Sequence, residues 1–228
     1  MADFSLSGKI VVVTGAAGRL GRLVVEQFAR DGATIVALVR SEDEARSIPF
    51  PEEAEGWAFA VDAADEGQVT ACFEQIQRQF GRVDVLIHAV GGWEKGPLLE
   101  TSLEAWEGVM RRNLGSAFLC FREAARLMQE HGGRLIGIGA GQGVDRAVAQ
   151  EGAYAAAKAG LMRLVEATAA EFEGTGITAH LVAPSTIRYA GDDGPGVAAH
   201  ALVDLCRYLA SPAGDALNGS VIRAYGDA

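Results

Sequence analysis

Tyr154 and Lys158 stand four residues apart with only alanines between them, in the run Tyr154-Ala155-Ala156-Ala157-Lys158. On a helix that spacing puts a phenol and an ammonium on one face. A free phenol titrates at about pH 10. A neighbouring cation favours the phenolate, so the pair is expected to lower the tyrosine pKa. A tyrosine tuned in this way can give a proton to a carbonyl oxygen, or take one from an alcohol, near neutral pH. Lysine is scarce: of 20 lysines and arginines, only Lys9, Lys95 and Lys158 are lysine. An incidental surface pair is the alternative reading. Asn113 lies in a stretch of helical spacing, on a stripe with Trp106, Met110, Ala117 and Phe121. A polar amide there satisfies something buried. Two partners stay open for it, a backbone carbonyl or a water chain that relays protons.

A second group of residues suits an anion. The cluster Thr14-Gly15-Ala16-Ala17-Gly18-Arg19-Leu20-Gly21 follows an apolar run and opens a stretch of helical spacing. Glycines at such a junction let the backbone turn sharply and approach a pyrophosphate, and the helix N-terminus offers free N–H groups. A tight turn without a ligand is the bland alternative. A carboxylate at the end of the second strand would bind ribose hydroxyls and favour NAD. Here the chain reads Val39-Arg40-Ser41. A guanidinium pairs with a 2′-phosphate, so Arg40, with Ser41 beside it, favours NADP(H) over NAD(H). A solvated Arg40 is the other reading. Asp62 follows the third strand, either as acceptor for an adenine amino group or as cap of the next helix.

These residues need a scaffold, and the chain alternates from end to end. Apolar runs at 9–14, 34–39, 57–61, 83–89, 134–138, 177–182 and 220–224 read as strands. Helical periodicity fills 18–30, 69–80, 103–129, 152–173 and 197–209. The pattern predicts an α/β fold of one domain over 1–228, with a doubly wound, seven-stranded parallel sheet. The irregular segment 185–196 has the glycines, proline and acidic pair of a surface loop.

Composition excludes several classes. The chain has 228 residues, 49% hydrophobic and 22% charged, which suits a globular domain with its own core. The net charge of −10 repels phosphate backbones and argues against nucleic acid as a partner. No apolar stretch is long enough for a bilayer, so no membrane association is expected. Residues 1–9 lack a basic region followed by an apolar run, so no secretory signal is expected. Cys72, Cys120 and Cys206 are odd in number and lack metal-ligand spacing. They read as buried thiols of a reducing cytoplasm, with no metal site.

Together, Thr14–Gly21 after the first strand, Asp62, Asn113, the Tyr154/Lys158 pair and Pro184 after the sixth strand resemble the short-chain dehydrogenase/reductase family along nearly the whole chain. The resemblance implies a nicotinamide-binding Rossmann fold with strand order 3-2-1-4-5-6-7. It implies pro-S hydride transfer between NAD(P)H and a carbonyl or alcohol. Tyr154 would be the acid/base, Lys158 would hold the nicotinamide ribose and lower the tyrosine pKa, and Asn113 would hold a relay water. Cofactor contacts would come from Gly15, Gly18, Arg19, Leu20 and Gly21, from Arg40 and Asp62, and from Ala89, Val90 and Gly91. Tyr154 and Lys158 add to them, with Pro184, Thr186 and Ile187 along the nicotinamide. The family also implies a homodimer or homotetramer built on the two long helices. Phe121, Ala125, Ala156 and Leu164 are either its interface or core.

Three departures shape the functional expectation. Arg19 takes the place of a middle glycine, as in pteridine reductases, and suits a cofactor phosphate or the substrate. His88-Ala89-Val90-Gly91 replaces the family's Asn-Asn-Ala-Gly and runs into Gly92-Trp93, which resembles dihydropteridine reductases. His88 is either a satisfied core histidine or a catalytic group, and Trp93 suits a substrate wall. Ala140 occupies the family's serine position, and either a substrate that supplies its own polarity or a donor such as Gln142 would have to compensate. Losing one donor to a developing oxyanion costs about 10²–10³ in rate. The expectation is an NADPH-dependent reductase of a small carbonyl, quinonoid or pterin-like substrate. The alternative is an NADP-binding or interaction module with little catalysis. Segment 185–196 is short for the family, which implies an open substrate site.

Overall fold

Five β-branched residues in a row, Ile-Val-Val-Val-Thr, form β1 (Ile10–Thr14), whose last four residues are buried. Such side chains favour a pleated strand covered on both faces. The structure, a computed structural model, describes residues 4–226. The leader reading of 1–9 and the domain span 1–228 therefore lie partly outside the described residues. From β1 the chain turns at Gly18 into α1 (Arg19–Arg30), which buries Leu20, Val24, Val25 and Phe28. β2 (Thr34–Val39) returns parallel to β1 and leads to α2 (Glu42–Arg46), one short turn capped by the Ser41 hydroxyl. β3 (Gly56–Ala60) follows, then α3 (Glu66–Phe80), capped by Asp65 and ended by Gly81 at φ 75°. A left-handed residue at that place is a common helix stop.

β4 (Val85–His88) leads to α4 (Leu103–Met110), and α5 (Ser116–Met128) continues it. Next come β5 (Gly133–Ile138), α6 (Gly141–Val144), α7 (Gly152–Glu171) and β6 (Ile177–Pro184). Two-residue strands β7 (Ile187–Arg188) and β8 (Val197–Ala198) precede α8 (Ala199–Ala210) and β9 (Val221–Ala224). The main sheet has seven parallel strands in the order β3-β2-β1-β4-β5-β6-β9. This is the expected order; the last strand is ninth in the chain because β7 and β8 pair only with each other. Segment 185–196, expected as plain loop, is thus tied at both ends by that small ladder.

Each face of the sheet has its own apolar core. One packs α1 and α8, through Phe28, Leu202 and Leu209. The other packs α3, α5 and α7, through Phe73, Phe121 and Leu161. Phe121 and Ala125 are therefore core, while Ala156 and Leu164 are half-buried. The three cysteines are buried and unpaired, and burial pushes their thiols up to about 12. No helix among the described residues is long and apolar enough to cross a membrane.

The expected helix 103–129 is corrected in one respect. Between α4 and α5 lies a π-helical turn, Arg111–Gly115. A π turn adds a residue to the repeat, so the buried face shifts. Val109, Asn113 and Ala117 are buried, but Trp106 is exposed and Met110 only half-buried. The stripe expected through Trp106 and Met110 therefore does not form.

Candidate active site

The chemistry-bearing residues meet above the C-terminal edge of the sheet, where ligands bind in open α/β folds. Lys158 is buried in α7, and its Nζ donates to the Ile138 carbonyl at the end of β5, at 2.9 Å. Burial pushes its pKa down to about 8. The ammonium lies 5.8 Å from the centre of the Tyr154 ring. Contrary to expectation, the phenol is not made more acidic. Burial first, and the charge of Glu151 second, push Tyr154 up to about 12. Both causes act in the same direction, so Tyr154 keeps its proton at pH 7.

Asn113, at the π turn, is committed to backbone. Its Oδ1 accepts from Gly92 N–H at 3.1 Å, and its Nδ2 donates to the carbonyls of Gly92 and Val109, both at 3.0 Å. Of the two partners left open for it, the structure supplies the backbone one, and both amide hydrogens are taken. The loop after β4 then runs directly over the centre. A Cβ at Gly91 would stand 2.9 Å from Asn113 Oδ1 and 3.1 Å from Lys158 Nζ. Tyr154, Lys158, Gly91 and Gly92 line a cleft of about 540 Å³ with Trp93, Ala140, Gln142, Pro184, Thr186 and Ile187. Ala140 offers this cleft no hydroxyl.

A second cleft, of about 340 Å³, continues from the first at Ala89 and Gly91 and runs past Gly15, Gly18, Val90, Arg40 and Asp62. Gly15 has φ +67°, and a Cβ there would press on the Ala89 carbonyl at 3.1 Å. No side chain caps Gly18 at the start of α1, and its first turn carries no acidic residue. An uncapped, uncontested helix N-terminus beside a bare glycine backbone fits a pyrophosphate. The residues present therefore fit a nicotinamide dinucleotide laid along the two clefts. Leu20 faces the core instead, and Gly21 packs on the Gly15 carbonyl, where a Cβ would overlap it.

Three charged residues differ from the simple expectation. Arg40 is gripped by Glu44, Nη2 to Oε1 at 2.6 Å, and its own N–H donates to Oε2 at 2.9 Å. Arg19 turns outward, over the Tyr189 ring at 3.8 Å and against Asp192 at 3.2 Å. It joins the glycine loop to the segment before β8 rather than facing a cleft. Asp62 is not a helix cap. That role belongs to Asp65, whose Oδ1 accepts from Gln68 N–H, while Asp62 Oδ1 accepts from Ala64 N–H at the cleft rim. His88 is core: its Nδ1 meets the Thr14 hydroxyl at 2.9 Å and its Nε2 the Ser116 hydroxyl at 3.2 Å. Glu44 and Glu151 also stand at these clefts, and neither belongs to a motif. Their only signals are spacing, four after Arg40 and three before Tyr154.

A family profile described as short chain dehydrogenase matches residues 9–192. The chain is 32% identical over 188 residues to D-threitol dehydrogenase of Mycolicibacterium smegmatis, covering 81% of this chain and 72% of that protein. It is 33% identical over 184 residues to 3-oxoacyl-(acyl-carrier-protein) reductase of Escherichia coli, covering 80% and 75%. A solved short chain dehydrogenase from Mycobacterium smegmatis superposes with a TM-score of 0.88 at 26% identity, over 98% of this chain and 94% of that one.

Proposed function

The chain belongs to the short-chain dehydrogenase/reductase family and is an NAD(P)-dependent oxidoreductase; we propose that it uses NADPH to reduce a small carbonyl, quinonoid or pterin-like substrate. The observation that carries this reading is the meeting of Tyr154, Lys158 and the bare Gly91 backbone at the inner end of one continuous cleft.

When bound, the nicotinamide group supplies the hydride. The protein's own residues do the rest. Gly15 and the N–H groups opening α1 receive the pyrophosphate. Lys158, which lines the cleft, would hold the ribose. Tyr154 holds its proton at pH 7, as a donor to a carbonyl oxygen must. The ammonium of Lys158, still charged below about pH 8, stabilises the phenolate left behind. Of the residues lining the cleft, Pro184, Thr186 and Ile187 would wall the nicotinamide and Trp93 the substrate.

NADPH is favoured by Arg40, because the position that follows β2 carries a guanidinium in place of a carboxylate. Glu44 tempers that preference, because a 2′-phosphate has to displace its carboxylate from Arg40. Two relatives are named for a polyol and for a 3-oxoacyl group, which supports the small-carbonyl part of this reading. A reducing cytoplasm suits the three buried free thiols. The groove between α5 and α7, with Phe118 exposed, suits a homodimer contact.

The test is NADPH consumption with small ketones, quinones and a quinonoid pterin. Turnover on one of these classes is expected. Tight cofactor binding with no turnover on any would replace the reductase by a binding module.

A further inference from the structure

Glu151 is 4% exposed and precedes α7, three residues before Tyr154. Its carbonyl accepts the first helical bond from Ala155 N–H at 2.8 Å. Its carboxylate does nothing comparable. The side chain caps no N–H of the helix, no ion pair or hydrogen bond reaches it among the described residues, and Oε2 is fully buried without a partner. Such a group is uncommon, since buried polar atoms nearly always have partners and a buried unpaired carboxylate is costly. Glu151 also lines the 540 Å³ cleft together with Tyr154. Its charge reaches the Tyr154 phenol, whose pKa it helps to raise. Glu151 thus brings to the wall of the substrate cleft a carboxylate oxygen that nothing in the protein satisfies, and Ala140 brings no hydroxyl.

We propose that Glu151 determines specificity: its carboxylate accepts a hydrogen bond from a hydroxyl that the substrate carries beside, or one carbon beyond, the carbonyl protonated by Tyr154. The substrate class is then a hydroxy-ketone rather than a plain ketone, or a diol in the reverse direction. This rests on the reductase reading of Tyr154. A bound hydroxyl satisfies the carboxylate, and a plain ketone leaves it unpaired in a drier cleft. Discrimination arises from that difference.

The test compares kcat/KM for 1-hydroxybutan-2-one and 4-hydroxybutan-2-one with that for butan-2-one, in the native protein, Glu151→Gln and Glu151→Leu. A parallel ligand-observed NMR titration compares butane-1,2-diol with butan-2-ol, with and without saturating NADPH, where no reaction occurs. The native protein should favour at least one hydroxylated ketone, and the diol, by roughly 10- to 100-fold. Glu151→Leu should erase the preference, and Glu151→Gln, which keeps an accepting oxygen, should retain part of it. A merely structural role for Glu151 would lower both members of each pair alike. A native protein without preference, or a preference untouched in Glu151→Leu, overturns the proposal. If no ketone turns over, the reductase reading fails, and the diol titration alone decides on Glu151 by the same two outcomes.

Discussion

Gly143 in α6 lies directly against the backbone of Lys158 in α7: a Cβ at 143 would stand 2.5 Å from the Lys158 carbonyl carbon and 2.6 Å from the Ala159 nitrogen. This close approach brings Lys158 under the end of β5, where its ammonium reaches Ile138. A side chain missing from one residue thus positions the ammonium of another.

Gly143→Ala should therefore destabilise the fold by about 1–3 kcal/mol, because backbone rather than a flexible side chain must move. Gly108→Ala is the control. A Cβ there meets nothing within 4 Å, inside α4, so that variant should be neutral or gain about 0.5–1 kcal/mol. Urea midpoints check both, and equal effects at the two positions would contradict the packing account.

Acid stability should depend on His88. Burial, and then the charge of Lys158, push it down to about 3, whereas it titrates at about 6.5 when unfolded. The unfolded chain takes up the proton first. The stability contributed by neutral His88 is complete above about pH 6.5 and is lost as pH falls towards 3. His180, pushed down to about 4 by burial and Arg134, adds to the same limb. Between pH 6.5 and 4 the native protein should lose a few kcal/mol. His88→Asn, less stable at the outset, should lose visibly less over that window. Parallel pH curves for the two would refute the assignment.

Cofactor preference should respond to the Arg40–Glu44 pair in opposite directions. Arg40→Ala should weaken NADPH several-fold, and Glu44→Gln, which frees the guanidinium, should tighten it by a similar factor. NADH affinity should barely change. Arg40 is 86% exposed, so both effects should shrink at high salt. Fluorescence titrations at low and high ionic strength measure this, and an unchanged NADPH affinity in Arg40→Ala would remove Arg40 from the phosphate site.

The sheet was legible because continuous β-branched runs such as 10–14 have few alternatives to a buried parallel strand. The π turn was not. Residues 111–115 include two weak helix formers, Asn113 and Gly115, but composition alone does not reveal one extra residue in the repeat. The stripe through Trp106 was wrong for that reason. The Tyr154/Lys158 pair was visible as spacing, but the sign of the tyrosine shift was not, since desolvation depends on the surrounding fold. Glu151 belongs to no motif and stands in the sequence as a charge before a glycine. Only its burial in the cleft sets it apart.

Tyr154 as proton donor is the central claim, and Tyr154→Phe tests it most directly because only the hydroxyl is removed. On a carbonyl that the native protein reduces with NADPH, the variant should remain folded by circular dichroism while kcat falls by roughly 10²–10⁴. A folded Tyr154→Phe protein with undiminished kcat would contradict the account.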